Sequence, residues 1–274
     1  MNASKSGVAG SSWSWHAGKG EVLWQLMFPE GGIVAGLKRN PASRTASLFC
    51  LEEGSGREIC GSFVPMVAEG SEMPVGEGWM LGLETTHGGL LFCHAFQAGS
   101  PEHQGLWAVD LPARRVAWGR PEAVFAANLG DALLVYRNRM FAGFPEREYW
   151  LIDPRNGEVL ESLGTGHERP NLLRMSDPGE ESRQGIALPE ARMALDGPIE
   201  AIESGIATVE GRHAPSMLPG AWRSTVTARV GGLTVHDGVM ASASPAPLFN
   251  NFLVRGQKLY YFRENEELVA VTLA

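Results

Sequence analysis

Apolar residues recur along this chain in short runs broken by Gly, Pro, Asn and Asp. The run Tyr149-Trp150-Leu151-Ile152 is aromatic and aliphatic, a composition that suits a pleated, half-buried surface. Asp153-Pro154-Arg155-Asn156-Gly157 breaks it. Asp starts a turn by accepting backbone N–H bonds, Pro presets φ for its position, and Gly takes φ > 0 without a Cβ clash. Glu158-Val159-Leu160 resumes the strand. A loop at 154–157 places Asp153 opposite Glu158 and Ile152 opposite Val159. Trp150, Ile152 and Val159 then share one face, with Tyr149, Leu151 and Leu160 on the other. Both faces are apolar, which predicts a hairpin lying between two layers.

The pattern repeats. Trp13 to Trp24 is a first copy, in which Gly20-Glu21-Val22-Leu23 matches Gly157-Glu158-Val159-Leu160. Leu48 to Cys60 is a second, with Gly56 in the glycine position. Leu106 to Trp118 is a third; Asp110 aligns with Asp153 and Trp107 with Trp150. Here Arg114 replaces the glycine, so the turn either differs or carries strain. Further short strands stand between the copies, at Gly32–Leu37, Trp79–Glu84, Gly89–Phe96, Glu122–Ala127, Ala132–Tyr136 and Arg139–Gly143. From Gly119 to Leu163 the chain reads as four strands over about 45 residues, the size of one propeller blade.

Residues 164–185 read as a long polar loop. Strands return at Gly185–Leu188, Ile199–Val209, Ser224–Val230 and Gly232–His236. Pro189–Leu195 reads as a short turn at most, and no stretch has the apolar stripe of an amphipathic helix. Lys258–Leu273 is a hairpin turning at Glu264-Asn265-Glu266. It ends without following strands, as the first copy begins without preceding ones. Together the two ends predict one four-stranded blade, two strands from each end, which closes a ring and hides its edges.

The hairpin pattern, aromatic-x-(Val/Ile/Leu)-Asp-x-x-x-Gly-x-(Val/Ile)-x-Trp, resembles the propeller repeats of quinoprotein (PQQ-like) and WD40-like proteins. Copies at 13–24, 107–118 and 150–161 carry it, and 49–60 carries it weakly. Within that superfamily the chain is similar to a bacterial family without an assigned activity. The resemblance implies an all-β fold: a single β-propeller over 12–274 after a disordered tail at 1–11. The copies lie 36, 58 and 43 residues apart, judged from Gly20, Gly56, Arg114 and Gly157. About six four-stranded blades are expected, with five as the alternative. A pair of immunoglobulin-like sandwiches would not explain the recurring hairpin.

Composition narrows function mainly by exclusion. The chain has 274 residues, net charge −8, 34 glycines and 17 prolines, and only four of its 23 basic residues are lysines. That balance argues against a broad nucleic-acid surface, which needs clustered Lys and Arg. No run approaches the roughly 18 apolar residues of a membrane span, and the N-terminal residues lack the apolar core of a signal peptide. The three cysteines, Cys50, Cys60 and Cys93, are an odd number, which fits a reducing compartment. The expected location is the cytoplasm.

No catalytic residue is assigned, and no cofactor or metal is expected. Quinone-dependent enzymes of the resembling superfamily are similar in using a vicinal disulfide, and this chain has no Cys-Cys pair. Trp13, Trp24, Trp107, Trp118 and Trp150 hold equivalent repeat positions, which predicts packing between blades. A four-residue loop after Glu52 pairs Cys60 with Phe49 and turns Cys50 and Cys60 to opposite faces; a three-residue loop pairs them directly. Free buried thiols are expected. Cys93 and His94 alternate on one strand and make a poor metal pair. His16, His87, His103, His167, His213 and His236 read as solvated loop residues. Gly54-Ser55-Gly56 is a turn rather than a nucleophile elbow, and Asp110, Asp153 and Glu52 read as turn caps. Asn250-Asn251 could offer a ligand to a divalent ion in a propeller channel, which makes a metal-dependent hydrolase or isomerase the alternative function. The leading expectation is a non-catalytic propeller that binds a protein or a small ligand on one face. Its contact element is the loop carrying His167, Arg169, Asn171 and Arg174.

Overall fold

One backbone position recurs in four turns of the computed structural model. Gly20 has φ +75°, Gly56 +69°, Arg114 +53° and Gly157 +72°. Arg114 therefore accepts the left-handed conformation that glycine enters freely, but its turn closes differently: its N–H bonds to the Leu111 carbonyl, whereas Gly56 and Gly157 bond to the Glu52 and Asp153 carbonyls that open their turns. Its turn is capped as expected, with Ala113 N–H donating to Asp110 Oδ1 at 3.1 Å. In the fourth copy Asp153 Oδ1 accepts from Arg155 N–H at 2.8 Å, and Gly157 N–H closes onto the Asp153 carbonyl at 2.8 Å.

The structure describes residues 12–97, 99–194, 197–205 and 207–273; the tail expected at 1–11 lies outside them. Strand β1 is Ser12–His16. Strands β2 (Val22–Met27), β3 (Ile33–Asn40), β4 (Thr45–Glu52) and β5 (Glu58–Phe63) form one antiparallel sheet in chain order. A second comprises β6 (Leu81–His87), β7 (Leu90–Phe96), β8 (His103–Asp110) and β9 (Arg115–Arg120), and a third β10 (Val124–Asn128), β11 (Leu133–Phe141), β12 (Phe144–Ile152) and β13 (Val159–Gly164). Helices α1 (Glu168–Ser176) and α2 (Glu180–Gln184) follow, then β14 (Ile186–Ala187). Strands β15 (Glu190–Ala194), β16 (Gly197–Ser204), β17 (Ala207–Pro215), β18 (Trp222–Val230) and β19 (Leu233–Ser244) make a five-stranded sheet. Strands β20 (Phe252–Arg255), β21 (Lys258–Arg263) and β22 (Glu267–Thr272) complete the fifth, in the order β1-β22-β21-β20-β14.

The protein is thus all-β, with five antiparallel sheets of four or five strands. The chain divides into two compact units. One runs to Leu23 and resumes at Glu181; the other is Trp24–Glu180. The first has a core of Val209, Val226, Met240, Phe252, Leu259, Tyr261 and Val269. In the second, Leu37, Leu48, Leu81, Leu91, Trp107 and Val109 fill one core cluster, and Phe92, Leu106, Leu133, Val135 and Ile152 fill another.

Several expectations are corrected. The two ends share a sheet, but the N-terminus contributes one strand and the C-terminus three, because β2 pairs with β3 instead of β1. The hairpin 148–161 has the expected register, with Ile152 opposite Val159. Only β12 is packed on both sides, however: Val159 and Leu160 are exposed, so β13 is an outer strand. The loop after Glu52 has the four-residue form, with Glu52 N–H bonded to the Arg57 carbonyl. An extra residue in β5 between Glu58 and Cys60 nevertheless brings Cys60 opposite Cys50. All three cysteines are free and buried. Pro189–Leu195 was expected as a turn, yet Glu190–Ala194 is a strand paired with β16.

The polar segment 164–185 contains helices. Glu168 lies in the first turn of α1 and Arg174 in its last, both favourable to the helix dipole. Its apolar residues form no stripe: Leu172 and Met175 are exposed, while Leu173 packs against the cluster of Ala127, Leu134 and Tyr149. A helix whose inward residues are only Pro170 and Leu173 leaves no periodic apolar stripe to read. What secures the segment is polar. Glu180 accepts from Thr85 Oγ1 at 2.6 Å, Thr86 N–H at 3.0 Å and Thr86 Oγ1 at 2.8 Å. Asp177 Oδ2 accepts from Asn128 N–H at 2.8 Å.

Candidate functional site

The anchored helix α1 forms one wall of a cavity of about 680 Å³ in the Trp24–Glu180 unit. His167, Asn171 and Arg174 line it, with His103 from β8, Tyr136 and Asn138 from β11, and Arg147 and Tyr149 from β12. Of the contact residues expected from sequence, three therefore meet in one place. Arg169 does not join them; its guanidinium makes a bidentate pair with Glu161, Nη2 to Oε2 at 2.8 Å. On a helix, residues 167, 171 and 174 fall on one face and 169 on another.

The cavity wall is aromatic and basic. Arg147 lies over the Tyr136 ring at 4.5 Å, Tyr136 and Tyr149 have ring centroids 5.7 Å apart, and His167 meets Tyr149 edge-on at 6.0 Å. Burial pushes the Tyr136 phenol above its ordinary pKa, so it stays a donor. Glu102 and Glu146 also reach the cavity. Among the described residues neither Arg147 nor Arg174 has a carboxylate partner within ion-pair distance.

Behind His103 stands a second group. Glu84 Oε1 lies 2.6 Å from His103 Nδ1 and 2.8 Å from His94 Nδ1. The two imidazoles stack at 3.6 Å, 10° from parallel. Their convergence depends on irregular pairing. Leu83 pairs with Cys93 and Thr85 with Phe92, so Glu84 is an extra residue in β6. Between Cys93 and Ala95 of β7, strand β8 has an extra residue where Gly105 takes φ +72°. Such bulges turn side chains away from strict alternation. Gly82 makes room: a Cβ there would stand 2.5 Å from His94 Nε2.

Burial opposes the charge on Glu84, but the hydrogen bond to His103 and the close approach of both imidazoles outweigh it and hold the carboxyl below its usual range. Its bond to Glu84 raises His103 above the ordinary imidazole value. His94 is only 2% exposed, and neither ring nitrogen makes a directed hydrogen bond; the contact to Glu84 is short but off-angle. The sequence pattern alone pairs His94 with Cys93 on one strand and makes His103 a solvated loop histidine. Strict alternation separates them, and two bulges bring them together. Among the described residues this is the one cluster of His, Cys, Asp or Glu suited to a metal.

Other expected residues have local roles. Asn250 N–H donates to Glu200, and Asn251 Nδ2 to the Phe262 carbonyl. Trp107 and Trp118 pack as expected, but Trp24 is exposed, with Arg39 over its ring at 4.8 Å. In the unit that includes β15–β19, His213 Nδ1 is 2.8 Å from Ser224 Oγ, and its Nε2 is 3.3 Å from Glu200 Oε2. All three are buried, and Ser224 Oγ also accepts Leu248 N–H. This Ser-His-Glu row braces strands β16, β17 and β18.

No protein-family model matches the chain, and no curated protein matches it. The likeness to quinoprotein and WD40-like repeats rests on the hairpin pattern alone. Solved structures overlap weakly. The acylaminoacyl peptidase of Pyrococcus horikoshii is 12% identical, with TM-score 0.30, covering 91% of this chain and 37% of that one. A glycosyl hydrolase from Bacteroides ovatus is 9% identical, with TM-score 0.28, covering 92% and 84%. Hydrazine synthase of Kuenenia stuttgartiensis is 11% identical, with TM-score 0.28, covering 90% and 82%. The chain spans 31 to 37% of the length of the peptidase structures. Overlap at this level assigns no activity to it. Among the described residues no helix is long and apolar enough to cross a membrane.

Proposed function

We propose that the protein is a β-propeller whose Trp24–Glu180 portion recognises a small polar molecule carrying an anionic group. The observation that carries the ligand class is the pair Arg147 and Arg174, both lining the 680 Å³ cavity without a carboxylate partner among the described residues. Guanidinium forks suit carboxylate and phosphate. Tyr136 and Tyr149 add flat apolar surface and hydroxyls, and Asn138 and Asn171 add amides. In this reading the protein binds and does not turn its ligand over.

The propeller reading is supported by the repeated turn and by five meandering sheets of four or five strands. It is supported too by β1, which adds an N-terminal strand to the sheet of β20, β21 and β22 as ring closure requires. Small-angle scattering tests it: a single closed body of this length has a radius of gyration of about 19 Å, and a clearly larger value would reject it.

The ligand reading is tested with a panel of small carboxylates and sugar phosphates, screened by thermal shift and confirmed by calorimetry. Losing one charged hydrogen-bonding partner costs about 1.5 to 3 kcal/mol, or roughly 10- to 100-fold in affinity. Arg147→Ala and Arg174→Ala should each weaken a hit by that much. Failure of every panel member, or equal binding by the double variant, rejects the reading.

A further inference from the structure

We infer that Glu84, His94 and His103 form a site for one divalent transition-metal ion, with its open position facing the cavity. Two imidazoles and one carboxylate converge, their donor atoms all within 4.8 Å of one another. A three-ligand set of this kind leaves a coordination position for water or a ligand. Nitrogen donors select zinc, iron, nickel or copper, whereas calcium and magnesium take oxygen shells.

The independent mark of a ligand is His94. A buried polar group normally has a hydrogen-bond partner, yet both nitrogens of this ring, 2% exposed, lack one. A metal ion on Nδ1, the nitrogen facing Glu84, would satisfy that atom. The geometry needs a small adjustment. Nitrogen and oxygen donors about 2.0 to 2.1 Å from a tetrahedral ion stand roughly 3.3 Å apart. Glu84 Oε1 is 2.6 and 2.8 Å from the two Nδ1 atoms, so its carboxylate must retreat slightly as the ion enters. The stacked rings already hold their Nδ1 atoms toward a common point. Of the three residues only His103 lines the cavity, which therefore supplies the entry path. Neither bulge serves regular sheet pairing, and both serve this convergence.

The site adjoins the anion-binding cavity through His103 but does not rest on the anion reading, and either can fail alone. The test uses the full chain, stripped with a chelator and titrated with Zn²⁺ or Co²⁺ and no other ligand. One equivalent should bind, and Co²⁺ should give visible bands without thiolate charge transfer. Ring resonances of two of the seven histidines should respond. His103→Asn and Glu84→Gln should lose at least about 100-fold in affinity, the upper end of what even outer-shell losses cost. No bound equivalent, thiolate bands, or undiminished uptake by a folded His103→Asn variant overturns the inference. Should a variant fail to fold, the histidine resonances of the unmodified chain decide.

Discussion

Gly157 lies against the indole of Trp118, so closely that a Cβ on Gly157 would stand 2.8 Å from Trp118 Cε3. The same indole donates Nε1–H to the Pro154 carbonyl at 3.1 Å. The turn of β12 and β13 thus docks on the last strand of the preceding sheet, and Gly157 serves both the turn and the contact.

Gly157→Ala should therefore destabilise more than a glycine change in open space. It combines the strain of φ +72° with overpacking against the ring, together about 2 to 4 kcal/mol. Gly143 has φ +87° with nothing within 4 Å, so Gly143→Ala carries the strain alone, about 1 kcal/mol. Urea unfolding of the two variants measures the difference; equal losses would show that the ring contact contributes nothing.

Glu180 ties the segment after α1 to β6 through three hydrogen bonds. Glu180→Ala should cost about 2 to 4 kcal/mol, since bonds to a charged acceptor are among the stronger ones. Amide exchange in α1 should also accelerate. A loss below about 0.5 kcal/mol, the scale of ordinary surface changes, would show that Glu180 does not anchor the segment.

Ser224, His213 and Glu200 have the residue types of a hydrolytic triad but are sealed. The protein should resist labelling by fluorophosphonates, and Ser224→Ala should lower stability because His213 Nδ1 loses its partner. A covalent adduct on Ser224 in the folded protein would contradict the bracing role.

Cys50 and Cys60 face one another across β4 and β5 as buried thiols. Burial first, and the neighbouring Cys60 next, push the Cys50 thiol up to about 12. Burial raises Cys93 as well, with Glu84 adding to it. The nucleophilic thiolate is then scarce at neutral pH. Reaction with a thiol reagent at pH 8 should be slow in the folded protein and should reach three equivalents in denaturant without reductant. Fast native reaction, or fewer than three thiols after denaturation, would count against it.

Local chemistry alone determined much of this protein. An acidic residue with a glycine four positions on specified the turns at 52–56 and 153–157, and alternating apolar residues specified the strands, because both depend on neighbours in the chain. The four strands from Val124 to Gly164 and the register of Ile152 on Val159 follow from those signals. Three of the four residues expected to make contacts, His167, Asn171 and Arg174, could be chosen for their polarity, but not the helix that aligns them. That helix depends on Leu173 and on carboxylates docking onto strands far off in sequence. Tertiary structure decided the rest where one extra residue overrides alternation. The bulge in β5 set Cys60 opposite Cys50, and those at Glu84 and Gly105 joined three side chains that strict alternation keeps apart. A bulge is a compromise between two paired strands, so neither strand's sequence records it alone.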